Sequence, residues 1–159
     1  MNSLRGIVVV ACTLVLGSAA WSQRAGGKLP HPCDLITDED AEHVFGYGAH
    51  LVRSGVVCNI QPEDNKFLTL GVIQVTISRY NWDSVKQLVK YSRHKQVSGL
   101  GDDAYISSLG SLLIKKGTTP VTLYIKKGAA HVHVSGWYAD FATREEGLRY
   151  IGEKLVAGM

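Results

Sequence analysis

The residues best placed to do chemistry are His131 and His133, two apart in the stretch 130–137 that also holds Ser135 and Trp137. Along a strand, side chains two apart project to the same side, so both imidazoles share one face while Val132 and Val134 take the other. Two imidazoles can share a metal ion, but a zinc site wants a third or fourth ligand, and none is evident in the sequence. The pair reads first as surface histidines on a wet sheet face. Its functional reading is a ligand-binding surface with Trp137 beside it; no metal and no cofactor is expected.

Catalytic sets are weaker. Asp102 and Asp103 are adjacent at a strand entry and point to opposite faces, so a turn role after Gly101 outweighs an acid and base pair. Gly99-Leu100-Gly101 is too short for a dinucleotide fingerprint and lacks a strand, turn and helix around it. Serines 107, 108, 111 and 135 have no nucleophile elbow beside them. A site assembled from His133, Asp102 and Ser135 is all that a small hydrolase reading can use, and it is the alternative to a non-catalytic binding module. Basic residues gather at Lys86, Lys90, Arg93, His94 and Lys95 on an expected helix face, and at Lys115, Lys116, Lys126 and Lys127 near turns. Charge runs are usually solvated; if these two met, they would suit anionic lipid headgroups or an acidic cell-wall polymer.

The elements that must position these residues form a small mixed sheet. Residues 67–78 are rich in β-branched side chains, with a parity switch near Gly71 that suggests a bulge. Strands over 104–107, 111–116, 121–126 and 130–137, separated by Gly-containing turns, lay out an antiparallel meander. Alternation is cleanest in Val121, Leu123 and Ile125 against Thr122, Tyr124 and Lys126. Three helices complete the domain. The first is capped by Thr37 and ends at Gly46. The second runs from Asn81 or Asp83 to about Ser92, and the third starts at Thr143, with Leu148, Ile151 and Leu155 on one stripe. The sum is an α+β two-layer sandwich, five to six antiparallel strands with the helices on one face.

The N-terminus sets the compartment. One positive charge in residues 1–5, an apolar run over 6–16 and the small residues Gly17-Ser18-Ala19-Ala20 make the three-part pattern of a secretory signal peptide. Cleavage after Ala20 or Ser22 fits, the second better. The run is too short for a membrane span. Val9-Val10-Ala11-Cys12 loosely matches a lipoprotein box, but the apolar core before Cys12 is short for one. Removing residues 1–22 takes away Arg5 alone, leaving 16 Lys and Arg against 14 Asp and Glu. That near-neutral balance argues against nucleic acid as partner. The remainder divides into a flexible arm over 23–32 and a single domain over 33–159. With Cys12 gone, Cys33 and Cys58 are an even pair in an oxidising compartment and should form a disulfide.

One resemblance gathers these features. Pro32-Cys33-Asp34-Leu35-Ile36-Thr37, a short helix ending at Gly46, Cys58-Asn59-Ile60, then Gly99-Leu100-Gly101-Asp102-Asp103-Ala104-Tyr105 and Lys115-Lys116-Gly117 resemble a family of small bacterial secreted proteins and lipoproteins of unknown function. The resemblance implies an envelope location, a Cys33–Cys58 bridge and an α+β fold, and no activity. The expected protein is exported to the periplasm or beyond, with an envelope protein or a cell-wall or membrane component as partner.

Overall fold

The computed structural model describes residues 27–46, 48–63, 71–79, 81–108, 121–137 and 141–159. Thr37 opens α1 (Asp38–Phe45) through a capping box: the Asp40 N–H donates to Thr37 Oγ1 at 3.2 Å, and the Thr37 N–H donates to the Asp40 carboxylate at 3.0 Å. Each bond satisfies an amide near the helix start. A 3-10 turn at Pro32–Asp34 precedes it, and its Cys33 is disulfide-bonded to Cys58 with Cα atoms 5.3 Å apart. Part of the expected flexible arm joins the fold here. Pro32 is fully buried, and His31 Nε2 donates to the Gly55 carbonyl at 3.0 Å.

Seven strands make one sheet: β1 (His50–Ser54), β2 (Val57–Gln61), β3 (Val72–Ser78), β4 (Arg93–Gln96), β5 (Asp103–Ser108), β6 (Val121–Lys127) and β7 (Ala130–Trp137). Helix α2 (Trp82–Lys90) separates β3 from β4, and α3 (Phe141–Gly158) follows β7. The strand order is β1-β2-β3-β7-β6-β5-β4, antiparallel throughout. Two meanders are thus joined where β3 pairs with β7, Val75 opposite Val134.

The α+β class holds, and the strand count exceeds the five or six expected. Strands β1, β2 and β4 are the additions. Arg93, His94 and Lys95, expected on a helix face, instead form the edge strand β4 after α2 stops at Lys90. Four consecutive polar residues carry no alternation to announce a strand, and an edge strand needs only one neighbour's backbone. The strand expected over 111–116, and the first part of that over 67–78, lie outside the described residues.

Register sorts the side chains into two faces. Cys58, Val75, Val134, Leu123 and Ile106 lie in one row across five strands. Helix α3 covers this face with Leu148, Ile151 and Leu155, all fully buried as their stripe predicts. It begins at Phe141, two residues before the expected Thr143. Gly152 allows its close approach, since a Cβ there would lie 2.8 Å from Ile125 Cδ1.

Helix α2 corrects the expectation that all helices share one face. Its Trp82 and Val89 join Tyr124 in a separate cluster, with Val85 and Tyr105 packed against it. Tyr124 and Tyr105 face each other across β5 and β6 on the parity opposite to Leu123 and Ile106. The sandwich therefore carries a third layer over that part of the sheet. Among the described residues no helix is long and apolar enough to cross a membrane.

Candidate functional site

His131 and His133 project to the face opposite Val132 and Val134, as the alternation predicts, but that face is not wet there. His131 is only 7% exposed, and its ring lies 5.2 Å from that of Trp82. His133 is half-buried, its ring centroid 4.3 Å from that of Tyr124. Parity along a strand says which side a residue takes; it does not say what another element lays over it. Here α2 supplies the cover. Asn81 caps the helix by accepting from the Asp83 N–H at 3.0 Å, which places Trp82 at its first turn over His131. The indole N–H of Trp82 donates to Asp103 Oδ2 at 3.0 Å and fixes the ring.

Burial sets the electrostatics of the pair. It pushes the His131 imidazole below its ordinary value, and the nearby Lys126 adds to the effect. His133 is lowered by burial and then by His131. Burial raises the Tyr124 phenol, against a smaller opposing hydrogen bond from Thr122. The Nδ1 atom of His131 is buried and has no hydrogen-bond partner among the described residues. Trp137 ends β7 opposite Val72, on the parity of the two histidines. Among the described residues no cluster of three His, Cys, Asp or Glu side chains suits a metal ion.

Of the scattered catalytic set, His133 and Ser135 lie two apart on one face of β7, whereas Asp102 is engaged at a turn. Asp102 Oδ2 accepts from the Gly128 N–H at 2.6 Å, and its own N–H donates to the Lys126 carbonyl at 2.8 Å, so it ties the start of β5 to the β6–β7 turn. Gly101 has φ of 64°, and a Cβ on it would lie 2.4 Å from that same carbonyl. Asp103 is engaged by Trp82. These are turn and anchoring roles, as the Gly-rich spacing suggests. Ser135 Oγ shares a hydrogen bond of 3.1 Å with Thr122 Oγ1.

What the central strands do bring together is a set of polar groups. One row across β3, β7 and β6 is Thr76, His133 and Tyr124; the next is Gln74, Ser135 and Thr122. Gln74 is exposed and donates from Nε2 to Asn59 Oδ1 on β2 at 3.1 Å. No known protein family, curated protein or solved structure matches this chain. The basic groups named from sequence sit on separate elements: Lys86 and Lys90 on α2, Lys95 on β4 in an ion pair with Glu145 at 2.8 Å, and Lys126 and Lys127 at the end of β6. Lys115 and Lys116 lie outside the described residues. Sequence reasoning missed Trp82 and Tyr124 as partners of the histidines. The available signal was Tyr124 itself, a large aromatic on the polar parity of β6, which asks for a cover.

Proposed function

We propose that this chain is an exported, non-catalytic binding module of the bacterial envelope, contacting its partner through the polar rows centred on His133. The observation that carries the reading is the chemistry of the central strands. At the middle of a seven-stranded sheet, the exposed Gln74 and the partly exposed Thr76, His133 and Ser135 put hydroxyls, an amide and an imidazole side by side, backed by the buried Tyr124 and Thr122. Such groups orient a ligand or partner by hydrogen bonding. Asp102, the carboxylate a hydrolase would recruit, is committed to the Gly128 N–H at the β6–β7 turn, which supports binding over catalysis. The Cys33–Cys58 bridge fits an oxidising compartment. The signal-peptide pattern over residues 1–22 points the same way.

The test is photocrosslinking in envelope extract from two exposed positions, Gln74 in the second row and Glu153 on α3. A crosslinked product from position 74, absent from position 153 and competed by unlabelled wild type but not by His133→Ala, is the expected result. Equal yields at both positions, or equal competition by the variant, would overturn the reading. Export is checked by the mass of the mature protein, expected to begin at Gln23 and to carry an intact disulfide.

A further inference from the structure

The β1–β2 hairpin, the segment 27–32 and the end of β3 enclose an open cleft of about 980 Å³. Its charged walls are Lys28, Arg53 and Arg79, set against the one carboxylate of Asp34. Arg53 already pairs with Asp34. No carboxylate among the described residues pairs with Lys28 or Arg79. Arg79 donates from Nη2 to the Gly27 carbonyl, which leaves further N–H groups of its five free to meet a ligand. His31 is spent as a wall: Nδ1 accepts from the Cys33 N–H at 3.2 Å while Nε2 donates to the Gly55 carbonyl.

Apolar surface lies among these cations. Leu29 and Ile77 line the cleft, and Val56 at the hairpin turn is 73% exposed beside them. Register explains the assembly. Arg53 stands opposite Cys58, which in turn faces Val75, so Arg53, Ile77 and Arg79 continue one parity. The Cys33–Cys58 bridge holds the segment bearing Lys28 and Leu29 against them. This parity is that of the α3-covered face, away from His133, so the cleft is distinct from the contact surface proposed above.

We infer that the cleft binds an anionic amphiphile, with its phosphate or carboxylate head on Arg79 and Lys28 and its acyl chain along Leu29, Val56 and Ile77. The planar guanidinium matches paired anionic oxygens, and lysine adds a second positive charge. A bare inorganic anion would leave the apolar wall in water, and a neutral lipid would leave the cations unused. Only a molecule with both parts answers both walls. The volume lies within the range of small-molecule sites.

The test titrates the purified protein with oleate and lysophosphatidylglycerol below their critical micelle concentrations, with inorganic phosphate, and with phosphatidylcholine vesicles with and without phosphatidylglycerol. Lys28, Arg79 and Val56 are exposed, so their variants keep the fold. A Lys28→Gln and Arg79→Gln double variant should bind tenfold or more weakly, and Val56→Ser severalfold more weakly. A Lys86→Gln and Lys90→Gln double variant on α2 should bind unchanged. Uptake of dispersed monomers makes free amphiphile the source, and binding confined to phosphatidylglycerol vesicles makes it the membrane surface; either arm supports the inference if it shows this variant dependence. Inorganic phosphate held as tightly as the amphiphiles, an equal loss in the α2 variant, or no binding in any arm would overturn it.

Discussion

On one face of the sheet Cys58, Val75, Val134, Leu123 and Ile106 run in a row with no titratable group among them, whereas on the other the adjoining row is Thr76, His133, Tyr124 and Tyr105. The β6 and β7 part of the first row lies under α3, whose Leu148, Ile151 and Leu155 are fully buried, and its β2 end is covered by the 3-10 turn and α1. The second is covered over β5 and β6 by the nine residues of α2, which brings only Trp82 and Val89 as buried side chains. The contrast separates two jobs. An apolar face closed by a long helix supplies most of the hydrophobic stabilisation, since that scales with the apolar area removed from water. A mixed face capped by a short helix contributes less to stability and keeps hydrogen-bonding chemistry near the surface.

The comparison breaks most visibly at the apolar face. Leu148→Ala empties a fully buried site and should cost about 4 kcal/mol of global stability, read as a lower denaturation midpoint with unchanged cooperativity. Trp82→Ala removes a larger side chain from the other face, yet should act locally. Amide exchange should accelerate across Trp82–Lys90 while β6 and β7 amides stay protected. Equal global losses from the two variants would erase the distinction between the faces. Next in size is the staple. Replacing Cys33 and Cys58 by serine opens a loop of 25 residues, for which chain entropy assigns about 3.5 kcal/mol, measurable by thermal or urea unfolding.

Asp40 ties the first helix to the last on the apolar side and should give a smaller effect. Its carboxylate is buried and accepts from Tyr150 Oη at 2.8 Å, from Lys154 Nζ at 2.9 Å and from Thr37. Burial pushes its pKa up, but the hydrogen bonds from Lys154, Tyr150 and Thr37 outweigh that and hold it below the ordinary 3.8. Asp40→Asn should cost about 2 kcal/mol at neutral pH. Because the folded value lies below the unfolded one, this contribution is complete above pH 3.8 and is lost as pH falls through the folded value. The gap between wild type and variant, followed by denaturation at a series of pH values, should therefore close in acid.

Which parts of this were legible in the sequence follows from how local each signal is. The Thr37 cap, the Leu148, Ile151 and Leu155 stripe and the turn at Asp102 each depend on neighbours a few residues away, and each is found as read; the alternation through Leu123 and Ile125 sorts the two faces, but Thr122 and Tyr124 on the side expected to be wet are buried. The Cys33–Cys58 bridge came from arithmetic and compartment. Edge strand β4 was hidden because Arg93-His94-Lys95-Gln96 has no apolar face to alternate. The placement of α2 was hidden because its amphipathic stripe says that it packs, not on which side of the sheet. The burial of His131 depends on that placement, so alternation gives the face of the histidine pair but not the exposure of His131. The cleft of Lys28, Arg53 and Arg79 joins residues as much as 51 positions apart, and only the register brings them together.

The smallest predicted effect is the most discriminating test of the mixed face. His131 sits in contact with Trp82 with Nδ1 buried and without a partner among the described residues. A phenylalanine in its place keeps a flat ring against the indole and removes the stranded nitrogen, so His131→Phe should leave stability at neutral pH within about 1 kcal/mol of wild type, or raise it. The sharper difference lies in acid. Burial, followed by Lys126, holds the folded-state pKa of His131 below its ordinary 6.5, so as pH falls the unfolded chain takes up its proton first. The wild type therefore keeps its full stability above pH 6.5 and loses it as pH drops through the folded value. His133, also lowered, contributes in the same direction. Unfolding midpoints measured between about pH 7 and pH 5 should decline in the wild type and decline less in His131→Phe. Parallel curves would mean that His131 meets water as readily as an exposed histidine does, and that α2 does not close this part of the sheet in solution.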